Sequence, residues 1–243
     1  MPAGEPAFST TAFSTSVFSV DVAGVGRHPN PVTCVVKGRR GPLSVVGQGE
    51  QAQSVTGDIV IIRPGVEHHI VCGEGGFTVM YLDGARWPGP HPLAERIEGR
   101  LGELVLAGMK LDCDAQRELR ERLDHGQDRL PQGLHQRMSA VLADLTAEPM
   151  ARMSQDELAR RLGLERTQAL RLFKQSTGTT FRQFKRWTGL QHAARLIVAG
   201  ALVRTAAMDA GFADTAHLTR TFKQCFGLTP SQAIAGLPTI GGG

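Results

Sequence analysis

The first third of the chain has short apolar runs, and the rest follows a helical period. From about residue 13 to residue 83 these runs are rich in β-branched residues and are separated by Gly and Pro. They are VFSVDV, VTCVV, LSVV, DIVII, HHIVC and FTVMYL. Short strands divided by turn residues are typical of a β-sandwich or a β-barrel. We therefore predict an all-β N-terminal domain over residues 1–90.

The pattern changes at RWPGPHP, residues 86–92. Beyond this break, apolar residues recur at spacings of three and four, which indicates helices. The stripes comprise Leu93, Ile97, Leu101, Leu104 and Val105, then Leu119 and Leu123, then Leu134, Met138, Val141 and Leu145. We predict an α+β protein of two domains, with a helical linker over residues 91–130, an all-α domain over 131–236 and a flexible tail over 237–243.

Two ten-residue strings in the helical part are close copies, RLFKQSTGTT at 171–180 and RTFKQCFGLT at 220–229. In the first copy, Ser154 and Glu157 have capping-box spacing, and the short helix that follows ends at Gly163. A second helix is predicted from about Arg166 to the C′ glycine Gly178. Each copy has this plan of a short helix, a tight turn and a second helix, which is the plan of a helix-turn-helix.

The second copy repeats the plan with small residues. A short Ala-rich helix begins near Val203 and ends in a turn at Gly211. Asp214 is a predicted N-cap, and the helix 215–226 is closed by Gly227. The second helix of such a motif fits the major groove of DNA.

Charge is divided unevenly between the two parts of the chain. Residues 1–151 carry 14 Lys plus Arg and 18 Asp plus Glu, a net charge of −4, whereas residues 152–243 carry 13 and 5, a net charge of +8. A basic half indicates a polyanionic partner, most often nucleic acid. A basic surface that only maintains solubility is the alternative.

The exposed faces of the two predicted recognition helices have the chemistry for DNA. Arg171 and Arg220 can pair with guanine, and Lys174 and Lys223 suit phosphates. In a single copy, a charged helix face that is merely solvated would show the same pattern as a DNA-binding face. Two matched copies favour DNA binding. The candidate DNA-binding residues are Arg166, Thr167, Gln168, Leu170, Arg171, Lys174, Thr215, Ala216, His217, Thr219, Arg220 and Lys223.

A helix is predicted between the copies, from Thr180 to about Ala199. Twenty residues span about 30 Å, close to the roughly 34 Å of one DNA turn. A connector of this length would place two recognition helices in successive major grooves on one side of the duplex.

The motifs LARRLGL and RLFKxxxG, with the run from Ala207 to Ser231, resemble the DNA-binding domain of AraC/XylS-type bacterial transcription regulators. The resemblance covers residues 133–235 and implies that two recognition helices enter adjacent major grooves. It places Thr167, Leu170 and Arg171, and then Thr215, Ala216, Thr219 and Arg220, at base-facing positions. The sequence departs from the family at Glu165, Ala169 and Gly189, where Ser, Leu and Arg are usual. We therefore expect the second copy to be the more regular one.

In the N-terminal part, VTGDIVIIRPGVEHHI at 55–70 resembles the second cupin motif. We predict a cupin-like β-barrel for effector binding, dimerisation or both. The first cupin motif is missing, so we expect no metal, no cofactor and no catalytic site. His68 and His69 alternate faces on a strand, so that at most one points inward. The candidate effector-pocket residues are His68, His69, Arg39 and Arg63, although arginines beside turns are more often solvated.

Two further features bear on location and assembly. The cysteines are far apart and no run is long enough for a membrane span, which favours a cytoplasmic protein that does not contact membranes. The stripe over 93–105 suits a homodimer, although packing on its own domain would give the same stripe.

The sequence thus predicts a transcription regulator, not an enzyme, which binds promoter DNA and responds to a small-molecule effector. RNA polymerase is an expected partner if the protein is an activator. Two alternatives stay open, a cupin-type metalloenzyme with a helical module and a ligand-independent regulator whose barrel serves only assembly.

Overall fold

The fold was analysed in a computed structural model that describes residues 15–49, 53–85, 89–123, 130–147 and 153–235. The strands are β1 Thr15–Val20, β2 Gly24–Pro29, β3 Thr33–Gly38, β4 Leu43–Val46, β5 Ser54–Gly57, β6 Ile59–Ile62, β7 Glu67–Cys72, β8 Phe77–Leu82 and β9 Ala94–Arg96. The helices are α1 Gly99–Met109, α2 Cys113–Leu123, α3 Gln132–Ala147, α4 Gln155–Leu162, α5 Arg166–Thr177, α6 Phe181–Val198, α7 Val203–Asp209, α8 Thr215–Phe226 and α9 Pro230–Ala235.

Two antiparallel sheets form the N-terminal part. One sheet has the strand order β1-β8-β3-β6-β9, and the other has the order β2-β7-β4-β5. The larger sheet is buried on both faces, because Cys34 and Val36 pack toward the smaller sheet while Val35 packs toward α1 and α2. The run TCVVKG is therefore buried at every position except Lys37, as expected for a strand covered on both sides.

This architecture confirms a β-rich domain followed by a helical part. The described residues form two sheets, and closure into a cupin-like barrel is not confirmed. Three strands were missed by the sequence analysis, namely β2, β5 and β9. The β2 segment GVGRHP contains two glycines and a proline, and such residues hide a strand from any propensity argument.

The predicted helix beginning near Leu93 is wrong at its start. Leu93 and Ile97 flank the short strand β9, and the helix begins only at Gly99. The apolar stripe is used within the chain, since Ile97 and Val105 pack with Leu119 and with the outer face of the larger sheet. The structure thus favours packing of this stripe on its own domain, and a homodimer remains a prediction.

Helices α3 to α9 form the C-terminal part around one apolar core. Trp187, Phe173 and Phe184 are its largest fully buried side chains. Met138, Val141 and Leu145 of α3 are also buried, which confirms the stripe predicted after Pro131. The domain limits at residues 90, 131 and 236 remain predictions. The predicted tail over 237–243 lies outside the described residues.

Candidate nucleic-acid interface

The first helix-turn-helix consists of α4 and α5. Ser154 caps α4 by accepting a hydrogen bond from the Glu157 N–H at 3.0 Å, which is half of the predicted capping box. Gly163 ends α4 in the left-handed conformation, with φ 67°. At the start of α5, Glu165 makes no side-chain capping bond. The loss of the usual cap, expected from sequence, is therefore confirmed.

The second helix-turn-helix consists of α7 and α8. Asp214 accepts a hydrogen bond from the His217 N–H at 2.6 Å and so caps α8, as predicted. Gly211 forms the turn with φ 76°, and Gly227 ends α8 with φ 70°. The second copy has the better helix start, in agreement with the sequence analysis.

Most candidate DNA-binding side chains are exposed on α5 and α8. Three are only half-buried, namely Leu170, His217 and Thr219. Leu170 packs against the core, and His217 lies 5.3 Å from the Phe212 ring. Arg166 is hydrogen-bonded to Gln155, because the Arg166 Nε–H donates to Gln155 Oε1 at 3.0 Å. The exposed ones are Arg166, Thr167, Gln168, Arg171, Lys174, Thr215, Ala216, Arg220 and Lys223.

The connector α6 runs without interruption over 18 residues, close to the predicted limits. It begins with a complete capping box of Thr180 and Gln183. At 1.5 Å per residue it is about 27 Å long. Gly189 is buried, and a Cβ there would lie 3.1 Å from the Ala210 carbonyl oxygen. The glycine thus allows the end of α7 to lie against the connector.

The N-terminal candidate residues do not form one pocket. His68 is buried, and its Nδ1 lies 2.8 Å from the Val66 carbonyl oxygen, while its ring lies 4.6 Å from that of His28. His69 is half-buried in the next position on the strand. Arg39 is exposed, and Arg63 donates from Nε to the His91 carbonyl oxygen at 2.5 Å. Within the described residues, no group of three His, Cys, Asp or Glu side chains is placed to hold a metal ion.

The two parts of the chain meet in a seam that the sequence analysis missed. We use the term domain seam for the contact of Tyr81 and Asp83 with Trp187, Gln191 and Phe226. Asp83 is fully buried, and its Oδ1 accepts from Trp187 Nε1 at 2.8 Å and from Gln191 Nε2 at 2.9 Å. The Tyr81 ring lies 4.8 Å from Trp187 and 5.6 Å from Phe226. The connector and the second recognition helix are therefore both held against the larger sheet.

A backbone contact extends the attachment to the end of α8. The Gly26 N–H donates to the Gly227 carbonyl oxygen at 3.0 Å. His28 is 3% exposed beside this bond, and its Nδ1 lies 2.8 Å from the Gly26 carbonyl oxygen. Sequence spacing gives no signal for these contacts, because their partners lie some 100 to 200 positions apart.

The pH dependence of stability is expected to reflect His28. Burial is the main cause that lowers the pKa of His28 to about 4, and the neighbouring His68 contributes to the same shift. The unfolded chain, with a pKa near 6.5, binds more protons than the folded chain, so stability falls as pH drops from about 6.5 to about 4. The loss should be at most about 3 kcal/mol from this group. Denaturant unfolding at a series of pH values measures it.

The variant His28→Gln tests this assignment. It should reduce the slope of stability against pH, because it removes the buried imidazole. Since burial also lowers the pKa of His68, some slope should remain in His28→Gln. Equal slopes in the wild type and His28→Gln would contradict the assignment.

Comparison with known proteins agrees with this geometry. Residues 158–235 match the family model described as a helix-turn-helix domain. No curated protein matches the chain. ToxT from Vibrio cholerae, crystallised with an unsaturated fatty acid, has a TM-score of 0.57 at 12% identity, over 95% of this chain and 98% of that chain. ToxT from V. cholerae O395 in complex with a naphthalenyl butenoic acid has a TM-score of 0.56 at 11% identity, over 93% and 99% of the two chains.

These similarities show a two-domain fold like that of ToxT, with a helix-turn-helix domain in its C-terminal part. The match over residues 158–235 agrees with the helix-turn-helix domain predicted from the resemblance to AraC/XylS-type regulators. Within the described residues, no helix is long and apolar enough to cross a membrane.

Proposed function

We propose that the protein reads promoter DNA with α5 and α8 in adjacent major grooves, under the control of a small molecule bound to its N-terminal part. The observation that carries this proposal is the pair of helix-turn-helix motifs, each with an exposed basic second helix, joined by one helix of 18 residues. The connector is about 27 Å long, which suits grooves about one helical turn apart. The limits 131–236 for the DNA-binding domain belong to the same proposal.

Each copy would make two kinds of contact, one to base edges and one to phosphates. Arg171 and Arg220 are exposed and make no ion pair within the described residues, so that both guanidinium groups are available to guanine edges. Lys174 and Lys223 stand in the last turn of their helices, where they suit phosphates. We expect less stringent reading by α5, because Glu165 does not cap it and Arg166 is held by Gln155.

The variants Arg220→Ala and Lys223→Ala test these roles. Selection from random duplexes first identifies the preferred site, and titrations then measure affinity for it and for each single base-pair change. Arg220→Ala should cost about 1–3 kcal/mol at one base pair and relax preference there. Lys223→Ala should weaken all sequences similarly and reduce the salt dependence of binding.

Both side chains are exposed, so both variants should keep the melting temperature of the wild type within about 2 °C. A uniform loss of affinity in both variants would show that Arg220 does not read a base. Failure of the wild type to enrich any sequence would reject the proposal as a whole.

The domain seam supports control by a small molecule. A ligand that alters the fit of the sheet against Trp187 and Phe226 would move the connector and α8 together, since both helices contact this surface. An apolar cavity of about 60 Å³ lies at the seam, between Phe18 and Tyr81 of the sheet and Ile197 and Phe222 of the helices. This is room for only a few methylene groups, so a larger apolar ligand requires the seam to open.

ToxT binds an unsaturated fatty acid, and we propose a ligand with an apolar part for this chain as well. Titration of the protein–DNA complex with unsaturated fatty acids, and with a wider set of metabolites, measures whether affinity changes. Footprints that stay the same with every compound would favour a ligand-independent regulator. A homodimer, and contact with RNA polymerase if the protein activates transcription, remain further proposals.

A further inference from the structure

A cleft of about 980 Å³ lies within the N-terminal part, apart from the apolar cavity at the domain seam. Its lining comes from residues 37–42, 56–59 and 96–106, and none of the described residues of α3 to α9 contributes to it. The volume lies at the upper end of the usual range for small-molecule sites, about 300–1,000 Å³. The cleft is therefore a second candidate ligand site, which is formed without the helical domain.

One part of this lining is apolar. Ile59 and Ile97 are buried there, and the Ile97 N–H donates to the Ile59 carbonyl oxygen at 3.0 Å. Leu106 of α1 also lines the cleft and is half-buried. Gly102 lies next to Ile59 without a side chain of its own, and a Cβ there would be 3.7 Å from Ile59 Cδ1. A ligand in the cleft therefore meets an aliphatic surface.

Opposite charges lie side by side in another part of the lining. Arg39 and Asp58 both line the cleft, and both are exposed. The Gly38 N–H donates to the Asp58 carbonyl oxygen at 3.3 Å, so that the two charged residues belong to neighbouring segments of backbone. Lys37 adds a second cation, and its Nζ donates to the Gly38 carbonyl oxygen at 2.8 Å.

The two neighbouring charges are available to a ligand. Within the described residues, neither Arg39 nor Asp58 forms an ion pair, with the other or with a third residue. The remaining acidic groups of the lining are already paired, since Glu98 lies 3.4 Å from an arginine and Glu103 lies 3.3 Å from another. One guanidinium group and one carboxylate therefore stand free beside an aliphatic surface.

We propose that this cleft binds a zwitterion with an apolar side chain, either a free α-amino acid or a short peptide. The carboxylate of the ligand pairs with Arg39, whose planar guanidinium group suits two carboxylate oxygens. The ammonium group of the ligand pairs with Asp58, and its side chain lies against Ile59 and Ile97. A molecule that carries only one of the two charges satisfies only half of this site.

This site goes beyond the proposed function. It requires neither DNA nor an opening of the domain seam, because every residue that holds the ligand belongs to the N-terminal part. Its test therefore decides the site whether or not the protein reads promoter DNA.

The class of ligand is tested by calorimetric titration of the full-length protein. The zwitterions are L-leucine, L-phenylalanine and the dipeptide L-leucyl-L-leucine. Isocaproate, which is leucine without its ammonium group, and isoamylamine, which is leucine without its carboxylate, are the matched controls. We expect saturable binding of at least one zwitterion, and the tighter of leucine and its dipeptide distinguishes a free amino acid from a peptide. Both controls should bind more weakly by about tenfold or more.

Two outcomes of this titration would overturn the proposal. One is the absence of saturable binding by all three zwitterions. The other is binding of isocaproate or isoamylamine as tight as that of the zwitterions, because the site would then not recognise both charges.

The position of the site is tested with three variants. Arg39→Gln and Asp58→Asn should each weaken binding of the zwitterion by about tenfold or more, because each removes one of the two charged contacts. Arg40→Gln is the matched control and should keep the affinity of the wild type. Arg40 is exposed and follows Arg39 directly, but it does not line the cleft, and its Cδ lies 2.8 Å from the position of a Cβ at Gly75.

All three side chains are exposed, so the variants should keep the melting temperature of the wild type within about 2 °C. Wild-type affinity in Arg39→Gln or in Asp58→Asn would show that the zwitterion is not held by this pair of charges. An equal loss in Arg39→Gln and Arg40→Gln would place the ligand outside the cleft.

Discussion

Replacement of Trp187 by alanine is expected to destabilise the protein by about 3–5 kcal/mol, the usual cost of removing a buried large aromatic side chain. Trp187 is fully buried and lies 4.8 Å from the Tyr81 ring and 5.4 Å from the Phe226 ring. It also donates its indole N–H to Asp83 at 2.8 Å. The substitution thus leaves a cavity and removes a hydrogen-bond donor from a buried carboxylate.

The variant Trp187→Phe separates these two effects. Phenylalanine fills most of the space but has no N–H, so it should cost less than alanine while it still deprives Asp83 of a donor. Urea unfolding monitored by circular dichroism compares the midpoints of the three proteins. Circular dichroism is used because the chain has two tryptophans, and the fluorescence of both variants would come from Trp87 alone. A midpoint of Trp187→Ala equal to that of the wild type would contradict the role of the seam.

The same residue shows how far the sequence could predict this structure. The stripe of Phe181, Phe184, Trp187 and Leu190 correctly predicts a buried face on the connector. Periodicity does not say what covers that face, since any apolar surface at the right distance would give the same spacing. The partner Tyr81 lies about a hundred positions away, in a strand whose own run FTVMYL is buried at all positions but one. Contacts between domains therefore leave no mark in either local pattern.

The helix-turn-helix motifs could be predicted more completely, because their determinants are local. Caps at Ser154 and Asp214 and the glycines after α5 and α8 define each helix within a few residues.

The N-terminal part was predicted less well. Strand β2 has too few β-formers to be seen, and Leu93 with Ile97 imitates a helical stripe across a strand. Three of the four effector residues were chosen from a half motif, and the structure places His68 beside His28, not beside Arg39.

Gly227 is the position where a single methyl group is expected to have the second large effect. A Cβ there would lie 2.4 Å from the Gly26 carbonyl oxygen and 2.6 Å from His28 Nδ1, and the residue has φ +70°. The left-handed conformation costs a residue with a Cβ about 1–2 kcal/mol, and overpacking adds about 1–3 kcal/mol. We therefore expect Gly227→Ala to destabilise the protein by about 2–5 kcal/mol.

Gly200→Ala is the matched control, because Gly200 also has positive φ, at +93°, but nothing lies within 4 Å of its Cβ position. It should show the cost of the conformation alone. The difference between the two melting temperatures then measures the contact between the end of α8 and β2. The carbonyl oxygen of Gly227 accepts the Gly26 N–H at 3.0 Å, so relief of the overlap requires this bond to lengthen and α8 to move from the sheet. Equal destabilisation by the two substitutions would mean that α8 leaves the sheet without cost, and that the N-terminal part does not hold the second recognition helix in place.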